Sequence, residues 1–304
     1  MCWTTQFLKG SRSKSSILTT SRQGTASRLL KPLDIVPITA CMKSPILLAM
    51  NLQCRTELAL NYKAGSQIAR VISEDWCSRE LYCAACSSDG LVSSRVNTPA
   101  IDFVCPECDQ CFQLKSFKTW HQKKIPDAAY DSMLRAIRSD RVPNLVILQY
   151  STGWLVKNLL LVPSVFLTET VIEKRAPLGP GARRAGWVGC NILLHRIPRD
   201  GQIRVVANGS AVAKREVREE FSRVRKLAEV PPSARGWTLD DLTIIRKLAK
   251  PRFSLQELYG LERYLQNIYP HNRNVRPKIR QQLQILRDLG LIKFIGRGSY
   301  AVRA

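Results

Sequence analysis

Cys83-x-x-Cys86 and Cys105-x-x-Cys108 lie eighteen residues apart. Two short knuckles at that spacing can bring four thiolates around one tetrahedral zinc ion. The competing reading, four buried thiols, requires two paired spacings to arise together from packing alone. Cys111 lies nearby without a partner at the right distance. The chain has ten cysteines in 304 residues, too long for a small disulfide scaffold. Its paired thiols therefore point to a reducing, cytoplasmic location.

Charge narrows the class of partner. Lys and Arg outnumber Asp and Glu 47 to 24, a formal charge of +23. A field of that sign favours a polyanion, with nucleic acid ahead of a membrane surface. No eighteen-residue apolar run escapes a charge or a turn former, so no membrane span is expected. The sequence implies no obligatory protein partner.

Residues 1–49 hold seven basic residues and one acid, Asp34, without periodicity. Their composition resembles a transit peptide, but the stronger readings are upstream sequence translated from a misplaced start before Met50, or a disordered basic tail. From Met50 to about Val230, helical segments mix with short β-rich runs at residues 100–104, 112–115, 145–150 and 159–162, as in one α/β domain. Pro231-Pro-Ser233 breaks the pattern, setting a domain boundary near 231.

Residues 231–304 read as three helices and a hairpin, the order of a winged helix. Thr238-Leu-Asp-Asp241 and Ser254-Leu-Gln-Glu257 have the spacing of capping boxes and predict two helix starts. The third helix has Pro277 in its first turn and Ile279, Leu283, Leu286 and Leu289 along one side. Lys278, Arg280, Gln281, Gln284 and Arg287 occupy its remaining surface. Ile292 and Phe294, then Gly296-Arg-Gly298, then Tyr300 and Val302 spell a hairpin with a glycine turn.

Asp102 followed by Gln113-Leu-Lys115 resembles the D-x(n)-(D/E)-x-K arrangement of PD-(D/E)xK nucleases, in which acids hold Mg²⁺ and the lysine acts on water and phosphate. Phosphodiester hydrolysis needs a metal to offset developing charge and acidify a water, with a cation close by. Gln113 and Lys115, two apart on one strand, face the same side. The second knuckle lies between Asp102 and Gln113, so zinc would brace the hairpin that carries all three. A structural zinc site contributes about 10–16 kcal/mol, comparable with a whole domain's stability of about 5–15 kcal/mol.

Longer runs carry a more specific resemblance: Ser73-Glu-Asp-Trp76, Tyr82-Cys-Ala-Ala-Cys86, Asp102-Phe103 through Lys115-Ser116, Ala182-Arg-Arg-Ala-Gly-Trp-Val-Gly-Cys-Asn191, Arg235-Gly-Trp-Thr238 and residues 278–288. On these the chain from Met50 onward resembles the DpnI-like family of methyl-directed type II restriction endonucleases. The resemblance implies an α/β PD-(D/E)xK domain with an embedded zinc site, followed by a winged helix, both binding adenine-methylated double-stranded DNA. It implies Cys83, Cys86, Cys105 and Cys108 as zinc ligands. It also implies Mg²⁺ held by Asp102, Gln113 and the Leu114 carbonyl, with Lys115 serving the attacking water, and cleavage of GATC that carries N6-methyladenine. The family has Glu where this chain has Gln113. An amide oxygen still ligates a hard cation, but with less charge, and Gln-x-Lys versions occur in Mrr-like nucleases.

Burying one methyl group gains only about 0.8 kcal/mol, roughly a fourfold preference, so methyl reading needs two sites or added base contacts. Trp187 with Arg183 and Arg184 suits one: a ring to cover the methyl and guanidiniums for phosphate or guanine. The alternative is a core tryptophan beside solvated arginines. In the winged helix, Lys278, Arg280, Gln281 and Gln284 are candidates for the major groove, with Arg297 at the wing tip near the backbone. Trp237 reads as packing on the small domain's core. His121, His195 and His271 show no metal or triad spacing.

Overall fold

The computed structural model describes residues 50–303 apart from 96, 97, 99, 121 and 122. The readings of residues 1–49 and of His121 lie outside the described residues. The first part of the described chain runs α1 (Gly65–Glu80), β1 (Val92–Ser93), β2 (Phe103–Val104), β3 (Cys111–Phe117), β4 (Ile125–Ala129), α2 (Tyr130–Arg138), β5 (Asn144–Tyr150) and β6 (Val156–Val162). It continues through β7 (Ile172–Lys174), β8 (Gly189–Ile192), β9 (Ile203–Ala207), β10 (Ser210–Ala211) and α3 (Lys214–Arg225).

Seven strands form one sheet in the order β1-β2-β3-β5-β6-β9-β10. Only β3 and β5 pair in parallel, joined by a crossover through β4 and α2. β5 is the apolar run Leu145-Val-Ile-Leu148, buried on both faces as a central strand must be. Leu145 and Ile147 join one core cluster with Ile125, Met133 and Ile192. Val146 and Leu148 join the other, with Ile72, Trp76, Phe103, Phe112 and Phe221. A second, three-stranded sheet, β4-β8-β7, carries Ile125 and Ile192 into the first cluster.

The remainder comprises α4 (Pro232–Lys247), β11 (Arg252–Ser254), α5 (Leu255–Tyr259), α6 (Glu262–Ile268), α7 (Val275–Asp288), β12 (Ile292–Gly296) and β13 (Ser299–Val302). Strand β11 joins the hairpin in a sheet ordered β11-β13-β12, and the middle helix is two short ones. Ser254 and Glu257 form a full capping box. Gly296 pairs with Ser299, and the two residues between them, Arg297 and Gly298, have φ of 41° and 73°. Positive φ at both positions is what a tight type I′ turn demands.

Thr238 does not start a helix. The first helix of this segment begins six residues earlier, with Pro231 as its cap and Pro232 at its first position, where the fixed φ of proline is pre-set for a helix and its missing N–H costs nothing. Thr238 lies inside, fully buried, its hydroxyl donating to Gln282 Oε1 at 2.7 Å. Asp241 is also buried, and burial followed by the charge of Asp240 pushes its carboxyl well above the usual range.

The apolar core is continuous across residue 231: Trp237, Leu242, Ile245 and Leu283 belong to the same cluster as Ile125 and Leu145. Trp237 is buried and stacks on Tyr269 at 3.9 Å between ring centroids. Arg235, 4% exposed, grips Asp140 through both terminal guanidinium nitrogens. Tyr269 donates to Asp240 at 2.6 Å, and burial raises that carboxyl to about 6. No helix among the described residues is long and apolar enough to cross a membrane.

Candidate active site

The β2–β3 hairpin positions the site, and the cysteine knuckles close it. The sulfurs of Cys83, Cys86, Cys105 and Cys108 all lie within 4.8 Å of one another. Cys83 and Cys108 are 3.6 Å apart, and Cys86 and Cys105 3.5 Å. Four thiolates at Zn–S distances of about 2.3 Å stand roughly 3.8 Å apart, so this cluster could hold zinc. Cys111 lies outside it and turns to the Asp109 carbonyl. Burial works against a thiolate at Cys105. Amides of Glu107 and Cys108, with the thiols of Cys86 and Cys108, nevertheless bring it down to about 7. Arg218 on α3 ties down the first knuckle by donating to the carbonyls of Cys83, Ser87 and Ser88.

Past the second knuckle, Phe103 pairs with Phe112, so the next step of that register sets Asp102 opposite Gln113. Strand β2 has ended there. The Asp102 carboxylate takes the place of the missing strand, accepting the Leu114 amide at 2.6 Å. Asp102 also faces α1, where burial and then its charge raise the carboxyl of Glu74, while Arg70 lowers it. Glu74 and Leu114 line an open cavity of about 400 Å³ with Ser73, Ser116 and Lys118.

Gln113 and Lys115 share a partner that the sequence reading missed. Gln113 Nε2 donates to Asp127 Oδ1 at 3.2 Å, and Lys115 Nζ lies 2.6 Å from the same oxygen. The Asp127 side chain is 0% exposed, that of Lys115 24%. Asp127 sits on β4, where the register with β8 shifts between Asp127 and Ala129. Asp127 itself pairs with Cys190 ahead of that shift and lies on the same buried face as Ile125. An acid inside the apolar frame of Ile125, Ala128 and Ala129 was its one trace in the sequence.

The same small sheet anchors the loop between β7 and β8. Tyr130 donates its amide to the Val188 carbonyl, and Ala129 pairs with Gly189. Trp187 is half-buried rather than a core residue, with Arg184 stacked over its ring at 4.8 Å. Its ring lies on Gly189, where a Cβ would come within 2.7 Å of it. Arg183 and Arg184 are exposed.

On α7, Arg280, Gln281 and Gln284 are exposed and Lys278 half-buried, donating to Gln281. Arg280 donates to the Tyr259 hydroxyl. Arg297 is exposed at the tip of the wing. His195 bonds the Lys123 carbonyl, and His271 is exposed.

Compared with known protein families, residues 50–230 match the DpnI family, described as the Dam-replacing family, and residues 233–302 match its Dam-replacing HTH domain. The HTH match covers the segment whose α7 presents the exposed amides and arginine just described, and with the family it implies DNA as the partner. With the first match alone spanning more than half of its length, the chain belongs to the DpnI, Dam-replacing family, with a winged-helix domain at its C-terminal end.

Proposed function

We propose that the chain is a methylation-dependent endonuclease that cuts double-stranded DNA at GATC carrying N6-methyladenine. In this reading residues 50–230 form a PD-(D/E)xK nuclease domain and 231–304 a winged-helix DNA-binding domain, acting in a reducing cytoplasm. The convergence on β3 carries it: Asp102 opposite Gln113, with Lys115 beside a buried carboxylate, in a chain of this family.

Asp102, Gln113 Oε1 and the Leu114 carbonyl would hold Mg²⁺, an all-oxygen donor set that suits a hard cation. Asp127 brings a further carboxylate against Gln113, and its Oδ2 is buried with no hydrogen-bond partner among the described residues. Bound there, Mg²⁺ would acidify a water and offset charge at the phosphate. Lys115 brings a cation to the attacking water and a phosphate oxygen. Cys83, Cys86, Cys105 and Cys108, holding Zn²⁺, brace the hairpin. Lys278, Arg280, Gln281 and Gln284 enter the major groove and Arg297 meets the backbone.

Trp187 covers the methyl group, with Arg183 and Arg184 on phosphate or guanine. Gly189→Ala is therefore expected to push the ring off its seat and lower the preference for methylated duplex by about fourfold for each methyl read there. Competition binding with methylated and unmethylated duplexes checks this; an unchanged preference would remove Trp187 from methyl reading.

Gln113 favours a second reading, a methyl-DNA reader whose site lacks the charge to cut. Duplexes containing one GATC site, methylated or not, separate the two when incubated with Mg²⁺ under single-turnover conditions. Scission of the methylated duplex supports the nuclease. Selective binding without scission, with scission gained in Gln113→Glu, would establish the reader.

A further inference from the structure

Asp127 combines three features. Its carboxylate is completely buried, one oxygen receives both Gln113 and Lys115, and the other has no partner among the described residues. A buried anionic oxygen left unpaired is costly, so its retention needs a reason. The amide of Gln113 has one donor end and one acceptor end. With Nε2 committed to Asp127, the amide cannot flip without setting its oxygen against the carboxylate.

We propose that Asp127 is a positioning residue for the nuclease site, orienting Gln113 so that Oε1 is presented to a divalent cation and tethering Lys115 beside it. It also returns to the site the negative charge that a glutamine in place of the family's glutamate removes. The alternation of β4 aims it: Asp127 pairs with Cys190 in regular register and shares the buried face of Ile125, and the irregularity in β4 begins only after it. This rests on the nuclease reading for its catalytic consequence, but not for its effect on cation binding.

Asp127→Asn tests it, because asparagine keeps the shape and an acceptor oxygen while removing the charge. The probe is Mn²⁺, which shares the oxygen preference of Mg²⁺, titrated calorimetrically into zinc-loaded protein without DNA. Removing a group that orients metal ligands typically weakens metal binding or activity about 10- to 100-fold. That weakening is expected in Mn²⁺ affinity and in single-turnover cleavage of methylated duplex at limiting Mg²⁺, with duplex binding unchanged. A residue that merely fills space would leave Mn²⁺ affinity where it was, and that result, or wild-type protein that takes up no Mn²⁺, overturns the proposal.

If the wild type binds Mn²⁺ more tightly than Asp127→Asn and neither cuts, the nuclease reading falls and the positioning role stands. If both cut equally at limiting Mg²⁺, the positioning role falls. Titrations are run well below the melting temperature of Asp127→Asn, and Gln113→Met gives the second arm. It is expected to weaken Mn²⁺ binding comparably, and the double variant to lose little more, since the two residues act through one contact. Full additivity would contradict the proposal.

Discussion

Lys115→Ala is expected to abolish cutting of methylated DNA while leaving DNA binding in place. Among the described residues Lys115 is the cation paired with Asp127, its ammonium 2.6 Å from that carboxylate and a quarter of its side chain open to solvent. Removing a group that stabilises charge in the transition state costs about 10²- to 10³-fold in rate. The DNA contacts expected of α7, the wing and the Trp187 loop lie on other elements. The same substitution leaves the buried Asp127 carboxylate with the Gln113 amide but without a cation, and breaking a buried ion pair on one side destabilises by about 3–5 kcal/mol. A lower melting temperature therefore accompanies the loss of activity, and assays belong well below it. Lys115→Arg keeps the charge and separates the two effects: near-native melting with reduced cutting places the loss in the chemistry. Full activity in Lys115→Ala would remove this strand from catalysis.

Stripping zinc, or substituting Cys105→Ser, is expected to disorder the hairpin and stop cutting. The second knuckle connects β2 to β3, so the same short segment sets the register that places Asp102 opposite Gln113. Four close, largely buried sulfurs repel one another as thiolates unless a cation joins them, and a structural zinc contributes on the order of 10 kcal/mol. Arg218 on α3 also grips the first knuckle, so the disturbance should reach that helix, with loss of near-UV dichroism from Trp76 and Tyr82 nearby. Back-titration with zinc should restore signal and activity together at one equivalent. Activity surviving complete zinc removal would contradict this account of the hairpin.

Local chemistry was legible in the sequence wherever it depends on short spacing. Cysteine pairs converge because each knuckle is four residues long. The period of two on β3 correctly sets Gln113 and Lys115 to meet one partner. The capping box at Ser254 forms because nothing else claims that hydroxyl. Thr238 shows the limit: its spacing to Asp241 is that of a cap, yet the prolines at 231 and 232 start the helix first and Gln282, forty-four residues away, takes the hydroxyl. Asp127 was hidden for a similar reason. It reaches Gln113 and Lys115 from a strand of the other sheet, and that meeting of two sheets has no sequence period. The continuous core across residue 231 likewise depends on faces meeting at long range.

The most direct measurement uses zinc-loaded protein beginning at Met50, incubated with Mg²⁺ and one plasmid prepared with its GATC sites either fully N6-methylated or unmethylated, with Lys115→Ala alongside to expose a contaminating nuclease. The account predicts discrete GATC fragments from the methylated plasmid alone, absent with the variant. An intact methylated plasmid, or equal cutting of both, would contradict it.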